Sequence, residues 1–168
     1  MIVLALTYEP IATTTLSSAA ADITFSSIPG TYTDLRIVVV GKAPSGNTID
    51  PRLNVNSDTG TNYSRTGLRG DGATATSGRS TGDDKFSTGY GNIPASGVGL
   101  YTFDIFSYAG STYKTMVLVG NADANGSGYI NTAVGLWRST AAINSVTVGF
   151  LNNADVGTTA TLYGIKAA

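Results

Sequence analysis

Neither cysteine nor histidine occurs anywhere in the 168 residues. Disulfide staples, thiolate nucleophiles, Ser-His-Asp relays and zinc sites built on Cys or His are therefore excluded together. The lack of cysteine leaves the redox compartment open, because such a chain suits reducing and oxidising surroundings alike. Charge is scarce as well. Charged residues make up 12% of the chain and the net charge is −1, against a usual charged share of roughly 25%. The ten basic residues are scattered, so no positive stripe neutralises a phosphate backbone and nucleic acid is not an expected partner. Long apolar runs are missing too. Met1-Ile2-Val3-Leu4-Ala5-Leu6 is far shorter than the ~20 residues of a membrane span and lacks the basic start of a signal peptide, so no membrane is expected as a partner.

What is present is a folding composition. Apolar residues reach 42%, with nine Tyr, five Phe and one Trp, too hydrophobic for disorder. Ser and Thr supply about a quarter of the chain, so the surface is largely neutral and hydroxylated. The length suits one domain over residues 1–168 with one core and no metal or disulfide.

Short β-branched and aromatic runs broken by Gly, Asn, Asp and Pro about every ten residues predict an all-β, antiparallel two-sheet sandwich of nine or ten strands. No helix is signalled. Ile23 and Phe25 alternate with small polar neighbours, and Pro29-Gly30 turns the chain. Asp34 to Val40 is almost continuously apolar after its first residues, which predicts a central strand covered on both faces. Ile49–Asn56, Tyr63–Leu68, Gly99–Tyr108, Tyr113–Val119, Ile130–Trp137, Ile143–Leu151 and Thr159–Ile165 are the further predicted strands. Pro51, early in its strand, predicts a sheet edge. From Arg69 to Asp84 there is no large apolar side chain, so a long surface loop is expected there, with Gly70–Gly82 the candidate for variable contacts. Residues 1–6 read either as a first strand or as an arm that docks on a neighbouring subunit by strand addition, with Ile2, Val3, Leu4 and Leu6 as its partner contacts.

Candidate chemistry is thin. Arg69-Gly70-Asp71 spells an adhesion tripeptide, but three residues in a Gly-rich stretch arise readily from turn chemistry. Asn121-Ala122-Asp123-Ala124-Asn125-Gly126 resembles half a calcium loop, yet position twelve is Thr132 in place of a bidentate Glu, and a plain turn is the expectation. A retaining glycosidase needs two carboxylates about 5 Å apart; Asp58, Asp71, Asp83, Asp84 and Asp155 sit beside turn-forming residues that explain them. Asp104, between Phe103 and Ile105, is expected to point to solvent or a partner subunit. Trp137, Tyr90, Tyr101, Tyr108 and Tyr129 suit core or subunit interface, with a sugar-stacking platform as the alternative. No catalytic residue, metal or cofactor is expected, and the chain reads as a non-enzyme.

Four segments carry a resemblance: Ile23-Thr24-Phe25-Ser26-Ser27-Ile28-Pro29-Gly30-Thr31-Tyr32-Thr33-Asp34-Leu35; Asn62-Tyr63-Ser64 with Leu68-Arg69-Gly70-Asp71-Gly72; Gly135-Leu136-Trp137-Arg138-Ser139-Thr140-Ala141-Ala142-Ile143; and Ala160-Thr161-Leu162-Tyr163-Gly164-Ile165-Lys166. Spread over nearly the whole chain, they are similar to a family of small jelly-roll virion structural proteins of tailed bacteriophages, of the decoration (cement) or tail-fibre type. The resemblance implies a jelly-roll-like fold and a place in the virion, assembled in the host cytoplasm. The expected role is an oligomeric capsid decoration or cement protein that stabilises the head. Its expected partners are copies of itself in a homotrimer and other virion proteins such as the major capsid protein. The alternative is a tail-fibre or receptor-binding module recognising host glycans; a depolymerase is a third class, disfavoured by acids that look like turn residues.

Overall fold

Strict alternation of residue size along short segments builds the molecule. A computed structural model of the chain describes residues 7–90, 93–95 and 97–167. It holds no helix among those residues and thirteen strands: β1 (Tyr8–Thr15), β2 (Ala20–Phe25), β3 (Asp34–Gly41), β4 (Thr48–Ile49), β5 (Pro51–Val55), β6 (Tyr63–Gly70), β7 (Ala75–Asp83), β8 (Ile93–Pro94), β9 (Gly99–Ile105), β10 (Lys114–Ala122), β11 (Tyr129–Trp137), β12 (Val146–Ala154) and β13 (Thr159–Ile165). An eight-stranded sheet runs β1-β13-β3-β9-β10-β11-β6-β7, a three-stranded sheet runs β2-β12-β5, and β4 pairs β8. The pairings between these strands are all antiparallel. A jelly roll divides its eight strands between two sheets; what this fold has in common with one is the two-layer antiparallel architecture, here eight strands against three.

One core fills the space between the layers. The large sheet contributes Leu35, Ile37, Val39, Phe103, Ile105, Met116 and Leu118, and the small sheet contributes Ile23, Phe25, Leu53, Val55, Val146 and Val148. Phe86, just past β7, joins β5 through two backbone hydrogen bonds with Leu53 of 2.8 Å each. Its ring meets Phe103 edge-on at 6.5 Å, a favoured aromatic geometry. Gly135 makes room for that ring, since a Cβ there would overlap Phe86.

Two expectations are corrected. The Asp34–Val40 run is central, between β13 and β9, but it is covered on one face only. Leu35, Ile37 and Val39 are buried, whereas Val40 is 44% exposed, because the three-stranded sheet lies against a single side of its eight-stranded partner. The expected loop from Arg69 to Asp84 is instead the end of β6, a turn, and the whole of β7, paired to β6 from Tyr63↔Asp83 to Gly70↔Ala75. An edge strand held by backbone bonds needs no large apolar side chain, which is why its sequence reads as loop. β1, with Pro10 inside it, occupies the opposite edge, where a missing N–H is tolerated. Pro51 lies as expected in an outer strand of its sheet.

Candidate functional site

The face of the eight-stranded sheet that the described residues leave uncovered is its most distinctive surface. Because side chains alternate across the pleat, outward residues of neighbouring strands line up in rows. One row crosses β13, β3, β9, β10, β11 and β6 as Thr161, Val38, Thr102, Val119, Thr132 and Leu68. The next runs through Thr159, Val40, Leu100, Asn121 and Ile130. Neither row contains a charge. Ile130 is 61% exposed and Leu68 50%, and Val134, in the row beside them, 49%. Towards β1 the hydroxyls bond one another, Thr13 with Thr161 at 3.1 Å and Thr15 with Thr159 at 2.9 Å, so part of their polarity is spent internally.

Charge enters in the third row, where Arg36 of β3 faces Asp104 of β9. The guanidinium donates Nε to Asp104 Oδ1 at 2.6 Å and Nη2 to Oδ2 at 2.9 Å, a two-pronged pair that neutralises itself. Asp104 thus points outward as expected, onto a cation of its own chain. Further along, between β7 and β11, the face dips into a hollow of about 550 Å³ lined by Thr66, Arg79, Thr81, Val134 and Leu136, with a neighbour of about 320 Å³ around Leu68, Val117 and Thr132.

The second arrangement is an enclosed polar cluster. Asp50 is 5% exposed, and Tyr101 and Asn131 are fully buried. Among the described residues Asp50 Oδ1 and both amide atoms of Asn131 have no hydrogen-bond partner, and the Tyr101 hydroxyl lies beside Tyr129. Burial pushes the Asp50 carboxyl up from 3.8 to about 6, against the opposing pull of Arg52 and Arg65. Nearby, Arg69 stacks over the Tyr129 ring at 5.0 Å and donates to the Tyr90 carbonyl at 3.3 Å. An acid with a raised pKa is a known mark of catalysis, but this one is shut between layers with almost no exposed atom, so its physical effect is on stability.

The remaining candidates separate. Ile2, Val3, Leu4 and Leu6 lie outside the described residues. Trp137, Tyr101 and Tyr108 are buried, and Tyr90 and Tyr129 flank Arg69, so the five aromatics do not form one platform. Asp71 accepts the N–H groups of Ala73 and Thr74 at 3.0 and 2.7 Å, and Asp123 accepts that of Gly126 at 2.9 Å, both as turn residues. Among the described residues no three of His, Cys, Asp and Glu gather where a metal ion would fit. Asp58 is a turn residue with a second task. Its Oδ1 accepts from Gly60, and its Oδ2 accepts from Asn62 and, at 2.6 Å, from the Trp137 indole. Burial raises its pKa, and these hydrogen bonds together outweigh that and hold the carboxyl below the ordinary range.

Sequence reasoning missed the open face as a site. Its signal is the pairing of Val38 with Val40, Val117 with Val119 and Thr132 with Val134 at a spacing of two, on the sides of their strands opposite the large residues. No family model matches the chain, and neither does any curated protein or solved structure.

Proposed function

We propose that the protein is a structural component of a bacteriophage virion, an oligomeric jelly-roll-like decoration or cement protein that stabilises the head and performs no catalysis. The observation that carries this reading is the open face of the eight-stranded sheet, whose two charge-free rows run across most of its width. Exposed Val40, Leu68, Leu100, Val119 and Ile130 stand among threonines on these rows, and large exposed patches that carry apolar side chains mark surfaces covered in an assembly. The family resemblance of the four segments supports the same role, with a homotrimer and the major capsid protein as partners. A cement protein acts by linkage: contacts available only in the assembled shell add to the shell's stability.

A second reading, a tail-fibre or receptor-binding module for host glycans, is favoured by one feature. The outer side of the small sheet holds a hollow of about 440 Å³ lined by Arg52, Asn54, Ser57, Thr59, Lys85 and Thr147, a donor-rich lining suited to sugar hydroxyls. Imaging of whole particles decides between them. Density for this chain in many copies on the head, with shells that break more easily after its loss, is the expected result. A few copies at the tail with lost adsorption and intact shells supports the second reading, and absence from particles overturns both.

A further inference from the structure

We infer that the open face of the eight-stranded sheet is covered by another copy of this chain; the inference rests on the structural reading above and names the partner of that surface. Three observations select a copy of the same chain over other occupants.

The first is charge. A partner of strongly charged character finds no counter-charge in the two rows, and burying its charges there would be costly. A second copy brings an equally neutral surface. The Arg36–Asp104 pair is already neutralised within one copy, and Arg79, the cation lining the hollow, stands on the edge strand β7, where it keeps its water when the rows beside it are covered.

The second is extent. Eight strands at about 4.8 Å spacing make a face roughly 35 Å wide, and six or seven residues of strand make it about 20 Å tall. That product is near the ~800 Å² each partner contributes to a stable specific interface. The face also has relief. Hollows lie on the β7 side, around Thr66, Val134 and Leu136, and half-exposed Val40, Leu100 and Val119 stand on the β3–β9–β10 side. Knobs at one end and hollows at the other suit a head-to-tail contact, which closes into a ring when the rotation allows.

The third is the state of an edge. β1 carries Pro10 and a register shift between Pro10 and Ala12, devices that discourage a strand from pairing with another sheet. Growth by edge pairing is thus obstructed on that side while the face stays open.

The test uses sedimentation of the full chain, with Leu68→Glu/Val134→Glu on the open face and Leu151→Glu, an exposed residue of β12 in the small sheet, as the control. All three positions are half-exposed, and circular dichroism checks that the sheets persist. The expected result is an oligomer for the natural chain and for Leu151→Glu, and association weakened at least tenfold in the double variant. A natural chain that stays monomeric at high concentration overturns the inference, as does an oligomer that ignores the double substitution. Particle imaging separates this inference from the reading beneath it. A head-bound chain whose open face rests on a different virion protein overturns the self-contact and keeps the structural role. An oligomer that passes the sedimentation test but is absent from particles keeps the self-contact and overturns the role.

Discussion

The two faces of the eight-stranded sheet are composed of alternate residues of the same strands, yet they differ in kind. The inner face holds Tyr101, Phe103, Leu118 and Trp137, all nearly or fully buried, and the outer face holds Thr102, Val117, Val119 and Val134. Both sets favour strands, since β-branched and aromatic residues fit a pleated surface equally. Size is what distinguishes them. The large residues interlock with the small sheet, while Val and Thr are stiff side chains with few rotamers to lose on being covered. A face that is largely uncharged but not bulky suits contact with a second rigid surface, whereas a bulky face suits a core.

The widest separation between the faces lies in truncation. Phe103→Ala is expected to cost about 3–5 kcal/mol in urea denaturation, since a fully buried ring leaves a cavity against Phe86. Val119→Ala in a monomeric background is expected to cost under about 1 kcal/mol. Equal costs would erase the distinction, and show the outer face to be packed within a single copy.

Against the inner face, beside Tyr101, lies the most pH-sensitive feature. Asp50 has a carboxyl pushed up to about 6 by burial, from 3.8 when exposed, so between those values the folded chain binds more protons than the unfolded one. Stability therefore falls as pH rises from about 4 to 6, by up to about 3 kcal/mol, and stays reduced above that window. Asp50→Asn is expected to flatten this slope and raise stability at pH 7, by somewhat less than that figure because the contact with Arg52 is weakened too. Thermal melts at several pH values check it; an unchanged slope would place the charge in contact with water.

Strand identity was readable wherever alternation was strong, as in β9, β11 and β13. It failed at β7, whose Ala, Thr, Ser and Gly residues bury nothing large, and at β1, where Tyr8, Pro10 and three threonines carry no periodic apolar signal. Period-two spacing could not tell a half-covered strand from a fully covered one in Asp34–Val40, because Val serves on either side of a sheet. The turn role of Asp58 was plain from Asn56-Ser57-Asp58-Thr59-Gly60, but its bond to Trp137 joins positions 79 apart and no local pattern encodes such a contact. Asp58→Ala leaves the buried indole N–H without its acceptor, at an expected cost of about 1–3 kcal/mol. Trp137 fluorescence followed through denaturation reads both the stability and the altered surroundings of the ring.

The smallest effect belongs to the outer face and sharpens the comparison most. Arg36 and Asp104 are 36% and 15% exposed in their side chains, so in a lone copy water screens the pair and a double-mutant cycle with Arg36→Ala and Asp104→Ala is expected to give a coupling of about 0.2–1 kcal/mol. Added salt should lower it. Covering the face by another copy removes that water and strengthens the same attraction through the lower local dielectric. The coupling measured in the natural oligomer should then exceed that measured in the Leu68→Glu/Val134→Glu background and respond less to salt. Equal couplings in both states would mean that this end of the face stays wet and that the contact between copies is confined to the neutral rows beside it.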